Sequence, residues 1–281
     1  MGSVALSDVE VVRVRGDQRT TSADRVVVEE PLDVRLHGRT FATLMRTPGA
    51  DRELAAGFLL SERVITSAEG LGTIEHCRDT THANAPPDRA PYVENVVNVT
   101  LTSTDAQTLE DLLAGRRHVV SNASCGVCGR VTVENLREDL EPIATRQPLR
   151  AAVVAALPET LREAQRLFDA SGGLHAAGLF DWAGALMTSA EDVGRHNAVD
   201  KVMGRMLMAD RLPLGDYLLF VSGRTSFEIV QKAWCAGVPV VAAVSAPSSL
   251  AIALAEEAGI TLIGFVRDGG FNVYAHPGRV V

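Results

Sequence analysis

The 281-residue chain is 46% apolar and 22% charged, which suits one large or two small globular domains with a real core. A formal net charge of −8 argues against general nucleic-acid binding, which needs a positive surface field, though it leaves room for a local basic pocket. Four cysteines are too few for a disulfide scaffold, and no apolar stretch follows a basic start, so a cytoplasmic protein without a signal peptide is expected.

In chain order, RVVVEEPLDVRLHG from Arg25 and RTFATLMRT from Arg39 predict two strands joined by a hairpin turn at His37-Gly38. ADRELAAGFLLSERVI from Ala50 predicts a helix capped by Asp51, with Leu54, Phe58 and Leu59 at helical spacing. Residues 76–91 are polar and proline-rich and predict a surface loop. VENVVNVTLT from Val93 returns to strand pattern, TDAQTLEDLLAG from Thr104 to helix, and VENLREDL from Val133 to a short helix. EPIATRQPLR over 141–150 lacks periodicity, so a boundary falls here: 1–145 a smaller α+β domain, 146–281 an α/β domain.

Beyond it, LPETLREAQRLFDASGG from Leu157 predicts a helix with Pro158 in its first turn and a glycine stop. HAAGLFDWAGALMTS from His175 predicts two strands around Ala183-Gly184, and GRHNAVDKVMGRMLMAD from Gly194 a helix that Asp192 can cap. Then come a strand from Asp216, a helix from Thr225 opened by a Thr225/Glu228 capping box, a strand from Val238, a helix from Pro247 and a strand from Ile260. The apolar runs here are too short to span a bilayer and predict buried strands. This β-α-β-α-β order implies a parallel sheet covered by helices.

Ligands of such sheets bind beyond the carboxyl ends of the strands, where helix N-termini favour anions. The turns VSGRTS from Val221 and VSAPSS from Val244 supply Ser222, Arg224 and Ser245 there, and Arg267 sits at the same edge beside glycines. These hydroxyls serve either as helix caps or as a cradle for a phosphate or nucleotide. No Walker A or G-x-G-x-x-G pattern decides between the two.

The C-x-x-C pair Cys125/Cys128, in SNASCGVCG, admits three readings: a metal site, a disulfide exchanger or a sulfur carrier. Structural zinc needs two further ligands, and no second C-x-x-C exists. A redox pair usually opens a helix, whereas glycines surround both cysteines here and predict an exposed loop. In GLHAAGLF, His175 is either a satisfied core histidine or a site residue. Deaminase chemistry is not expected, because Ala177 stands where a catalytic Glu would be needed and the C-x-x-C precedes the histidine. EDVGRHNAVDKV from Glu191 is either a well-capped solvated helix or the polar wall of a pocket or dimer interface.

Taken together, SCGVCG, GLHAAGL, EDVGRHNAVDKV, SGRTSFEIVQKA, SAPSSLA, GFVRDGGFNVY and the earlier ELAAGFLLSE resemble the FdhD family of formate dehydrogenase accessory sulfurtransferases. The resemblance implies a cytidine-deaminase-like α/β domain and a homodimer. It implies that Cys125 accepts persulfide sulfur from a cysteine desulfurase, with Cys128 as its partner in the loop. The sulfur then passes to the bis-molybdopterin guanine dinucleotide form of the molybdenum cofactor, as bound substrate, in support of formate dehydrogenase. It matches Phe265, Val266, Arg267, Asp268, Gly269 and Gly270 to the stretch that holds that cofactor, with guanine nucleotides as analogues. The alternatives are a thiol-disulfide oxidoreductase or a zinc-binding molybdoenzyme chaperone.

Overall fold

The structure is a computed structural model that describes residues 5–77, 95–102, 108–110, 120–121, 140–145 and 147–281. Most of the 76–91 loop, the helix from Val133, and both Cys125 and Cys128 lie outside the described residues. The helix expected from Thr104 is described only at 108–110.

The N-terminal segment is a two-stranded antiparallel ribbon, β1 (Leu6–Arg15) and β2 (Gln18–Val27), whose residues are mostly exposed. Strands β3 (Glu30–Leu36) and β4 (Arg39–Arg46) form the expected hairpin, with His37 and Gly38 both at positive φ, as a tight turn matched to strand twist requires. With β5 (Leu71–His76), β6 (Val96–Leu101) and β7 (Val120–Ser121) they make a five-stranded sheet in the order β5-β6-β3-β4-β7. β7 runs parallel to β4, with Ser121 opposite Leu44. Helix α1 (Asp51–Ser61) covers this sheet.

The second sheet has the order β13-β12-β11-β10-β8-β9, built from β8 (His175–Asp181), β9 (Leu186–Asp192), β10 (Tyr217–Val221), β11 (Val240–Ala243), β12 (Thr261–Arg267) and β13 (Gly270–Ala275). β10, β11 and β12 are parallel, as the β-α-β-α-β pattern requires. One face carries α2 (Ala151–Ala164) over a core of Val154, Leu157, Leu161, Phe180, Phe220 and Val266. The other carries α4 (Arg195–Met208), α5 (Phe227–Ala236) and α6 (Ser249–Ala258), with the short α3 (Arg166–Ser171) after α2. Leu32, Leu54, Val199, Val241 and Leu262 belong to one continuous cluster, so α1 and both sheets share a core.

Three local expectations are corrected. Asp51 does not cap α1: the cap position is Ala50, and the Asp51 carboxylate instead accepts two bonds from the fully buried Arg46 (3.0 and 2.9 Å). The helix read from Leu157 begins at Ala151, which puts Pro158 in its interior; Val153, Val154, Leu157 and Leu161 at helical spacing hold it on the sheet regardless. Thr225 does not form a capping box. The cap of α5 is Ser226, which makes no capping bond, because its hydroxyl and Glu228 are both drawn to His196 (3.1 and 2.6 Å).

Where α1 crosses α4 the backbones touch. A Cβ on Gly57 would lie 1.9 Å from the carbonyl oxygen of Asp200, and one on Gly204 would lie 1.8 Å from that of Glu53. Neither obstacle is a flexible side chain, so Gly57→Ala and Gly204→Ala must part the two helices. Each is expected to destabilise the fold by about 1–3 kcal/mol or more, read as a lowered urea midpoint.

Candidate functional site

Most of the charged side chains in EDVGRHNAVDKV are neither solvated nor the wall of a pocket. Asp192, Asp200 and Lys201 are at most 2% exposed. The Lys201 ammonium lies 2.7 Å from Asp192 and donates to the carbonyl of Thr47 (2.9 Å). Asp192 also accepts from the backbone of Thr47 and Gly194, and Asn197 donates both to Asp192 and to the carbonyl of Met45. The end of β4 is thereby tied to the start of α4. One turn on, Asp200 accepts from Lys232 of α5 (2.8 Å to each oxygen) and from Ser61 of α1. Glu191 turns the other way, and its carboxylate accepts from Leu167 and Phe168 at the start of α3. The periodicity of the motif could not reveal these roles, because the partners lie on other elements.

The remaining two residues of the motif, Arg195 and His196, face the carboxyl end of β10. The two serine-rich turns are stitched together there: Thr225 donates to Ala246, Ser248 donates to Thr225, and Phe265 donates to Ser245. Ser222, Arg224, Ser245 and Phe265 thus share one edge of the sheet. Their immediate roles differ. The Ser222 hydroxyl accepts from the backbone of Ala176, latching β10 to β8. Ser248 caps α6 by accepting from Ala251, whereas α5 has no side-chain cap. Val266 is fully buried in the core beneath α2. Phe265, at φ 54°, is held in a left-handed conformation that bulky residues rarely adopt, and the Arg267 guanidinium lies 5.4 Å from the centre of its ring. Asp268 and Gly269 also have positive φ, and all of 267–270 is exposed.

Beside this edge, His175, Arg195 and Arg224 surround Gly223. A Cβ on Gly223 would lie 3.3 Å from His175 Nδ1 and 3.6 Å from Arg195 Cδ. Burial, then the charges of Arg195, His196 and Arg224, push the His175 imidazole below its ordinary value, and Asp192 opposes them. Burial and the neighbouring Arg224 likewise lower Arg195. For Glu228, burial acts to raise the carboxyl, but the His196 hydrogen bond and the charges of His196, Lys232 and Arg195 outweigh it and hold the group below its usual range. On the α2 face of the sheet a cavity of about 740 Å³ opens beside His175 and Ser222, lined by Leu161, Phe168, Leu174, Phe220 and Val244. Sequence reasoning left Arg195 within a motif read either as a solvated helix or as a polar wall, took Glu228 only for a capping partner, and missed this cavity. The only available signal was that an Arg and a Glu stood close to His196 and Ser226 at two helix starts.

Among the described thiols, Cys235 is pushed up to about 12 by burial and is therefore unreactive, while Cys77 is half-buried after β5. Because β7 is parallel to β4, its carboxyl end lies at the end of β4 that Asn197 and Lys201 hold. Cys125 follows four residues after Ser121 in the sequence.

Comparison with known proteins agrees with this architecture. The model of the FdhD/NarQ family matches residues 27–281. The "Sulfur carrier protein FdhD" of Anaeromyxobacter dehalogenans strain 2CP-C is 48% identical, over 98% of this chain and 94% of its own. That of Streptomyces avermitilis is 46% identical over 96% and 94%. The crystal structure of a candidate formate dehydrogenase accessory protein from Desulfotalea psychrophila superposes with a TM-score of 0.75, at 24% identity, over 99% of this chain and 100% of that one, which shows a shared fold.

Two measurements test these assignments. Lys232→Met leaves Asp200 buried without its cation and is expected to cost about 3–5 kcal/mol in urea unfolding, with a large coupling term when combined with Asp200→Asn. Glu228, with its native value depressed, stabilises the fold above the ordinary carboxyl range, and that contribution is lost as pH falls through the depressed value. Glu228→Gln is therefore expected to show a smaller fall in Tm between about pH 5 and about pH 3 than the parent chain.

Proposed function

The chain belongs to the FdhD/NarQ family, and on that premise we propose that it is a persulfide carrier serving the maturation of a formate dehydrogenase. The observation that carries the reading is the Cys125/Cys128 pair within a chain nearly half identical, end to end, to proteins named as sulfur carriers. The donor is a cysteine desulfurase. The Cys125 thiolate attacks the outer sulfur of the donor's persulfide, the donor's S–S bond breaks, its cysteine leaves as thiolate, and Cys125 becomes the persulfide. Delivery follows when an acceptor takes the outer sulfur and Cys125 returns to thiolate. Alternatively, the Cys128 thiolate attacks the inner sulfur, expelling hydrosulfide and closing a disulfide that a cellular dithiol must then reduce.

The acceptor is the bis-molybdopterin guanine dinucleotide form of the molybdenum cofactor, bound as substrate. Its phosphates need donors on a chain whose net charge is −8. Arg195 and Arg224 supply them, with Arg224 just before the uncapped start of α5, and Arg267 stands on the same edge. The apolar cavity beside Ser222 suits a planar ring. Within Phe265 to Gly270, which holds three left-handed residues, the exposed residues 267–270 offer backbone to a second part of the same molecule. We infer a cytidine-deaminase-like scaffold for the second sheet, in which Ala177 has replaced the acid that would activate water. The protein acts as a homodimer in the cytoplasm; among the described residues no helix is long and apolar enough to cross a membrane.

Incubation with a cysteine desulfurase and cysteine is expected to add one sulfur atom to the intact mass, erased by reductant and mapped to Cys125. Cys125→Ser is expected to lose both the adduct and formate dehydrogenase activation while still binding guanine nucleotide. A fully reduced chain that gains no sulfur from a competent donor returns the pair to zinc binding or disulfide exchange. Arg267→Ala is expected to weaken guanine nucleotide binding about tenfold or more in calorimetry, the loss of one charge-assisted contact; unchanged affinity moves the phosphate site away from this residue.

A further inference from the structure

We propose that His175 is a proton-linked gate on the oxyanion site formed by Arg195 and Arg224, taking up a proton from solvent as an oxyanion enters and returning it as the anion leaves. The proposal rests on the reading above that this edge of the sheet receives the phosphates of an anionic cargo, and it adds how that cargo is held and let go.

The fixed part of the site has no described carboxylate in contact with its guanidiniums, although the charge of Glu228 is felt at Arg195. Neither Arg195 nor Arg224 has a carboxylate within ion-pair distance among the described residues. Glu228, the acid closest in chemistry, is committed to His196 at 2.6 Å. The Nε of Arg195 is buried with no hydrogen-bond partner. So is the hydroxyl of Thr225, a residue 1% exposed at the start of α5. Ser226, which would ordinarily accept from the first N–H groups of α5, makes no capping bond and has its hydroxyl 3.1 Å from His196 Nε2 instead. Two guanidiniums that feel each other's charge, that of Arg195 with its buried unpartnered Nε and that of the exposed Arg224, together with the unpartnered Thr225 hydroxyl at the start of an uncapped ten-residue helix, describe a site for a dianionic oxyanion.

His175 is the variable part. It is the first residue of β8, paired with Asp192 of β9, and its ring and the Arg195 side chain both close on the empty Cβ position of Gly223. The charged and titratable groups around it are Arg195 and His196 from α4, Arg224 from the turn into α5 and Asp192 from β9, with Glu228 of α5 behind His196. In the empty site burial first, and then the field of the surrounding cations, keep the ring neutral at neutral pH, which spares the site a third positive charge. A bound oxyanion reverses that field, so the bound state favours imidazolium. By linkage, affinity must rise as pH falls between the value of His175 in the empty site and its higher value in the filled site, and must be level outside that window. Release is then favoured wherever the ring loses its proton.

The test uses sulfate, whose own charge is constant over the range, with the full-length chain. Calorimetric affinity for sulfate is expected to rise toward low pH by up to about tenfold per unit between the filled-site and the empty-site values of His175, the latter lying below the ordinary imidazole value, with tenfold per unit the limit for one linked proton. His175→Gln is expected to keep the high-pH affinity and lose the slope, and Arg195→Gln or Arg224→Gln to lose binding at every pH. Independently of any variant, the His175 ring resonance of the parent chain is expected to titrate at higher pH when sulfate saturates the protein. A level profile in the parent chain, or a slope that survives in His175→Gln and so belongs to His196, overturns the gate while leaving the anion site intact. No sulfate binding, with guanine nucleotide still bound, overturns the site itself. Failure of guanine nucleotide to bind as well strikes the reading on which it rests.

Discussion

Everything about this molecule depends on the contact of α1 with α4. Two glycines let the helix backbones meet at van der Waals distance, and beside that contact Asp200 and Lys201 of α4, with Asp192 just before it, have no route to water. Asp192, Asp200 and Lys201 must then be satisfied by the protein, and they are: by the end of β4, by Ser61 of α1 and by Lys232 of α5. A buried pair of this kind contributes little net stability, since desolvation offsets most of the attraction. What it does impose is register. A slide of α1 along α4 by one turn would leave an unpaired ion in the core, which costs far more than the lost packing alone.

That register reaches the edge where the chemistry is proposed. Asn197 and Lys201 hold the carbonyls of Met45 and Thr47, so the end of β4 is fixed relative to the start of α4, and the carboxyl end of β7 lies beside it. Arg195 and His196 begin the same helix and face the turn after β10. One short stretch of sequence therefore sets the strand that leads toward the cysteines and also aims the cations of the anion site. Its glutamate, Glu191, does the same for α3, whose Phe168 lines the neighbouring cavity.

Much of this was legible in the sequence, for reasons particular residues show. The runs DYLLFV, VPVVAAV and ITLIGFV are apolar throughout because both faces of β10, β11 and β12 are covered, and glycines at 237 and 259 stop the helices between them in left-handed conformations. What was not legible is whatever depends on a distant partner. Asp51 looks like a cap until Arg46 takes it, and Thr225 and Glu228 look like a capping box until His196 takes Ser226 and Glu228. Asp200 and Lys201 look solvated because nothing local says that Lys232 and Asp192 wait for them. Strand β1, most of β2 and the edge strand β13 were not among the strands expected. The turn residues Ser222, Arg224 and Ser245 were placed correctly at one edge, since strand-to-helix turns of a parallel sheet must gather there.

The same physics explains why the sulfur chemistry and the anion site are assigned to different kinds of residue. A thiol that must attack a persulfide needs to reach its thiolate form and to be accessible. Cys235 lacks the first property, since burial of its thiol raises it to about 12, and it packs half-buried against the core. A rigid parallel sheet has no use for a reactive thiol in its interior, but its strand ends are well suited to hold anions in a fixed place. Carriage between two large partners needs both properties at once, a mobile nucleophile and a stationary dock. By sequence alone the glycine-flanked pair at 125 and 128 suits the proposed nucleophile, and the uncapped start of α5, with Arg224 just before it, suits the proposed dock.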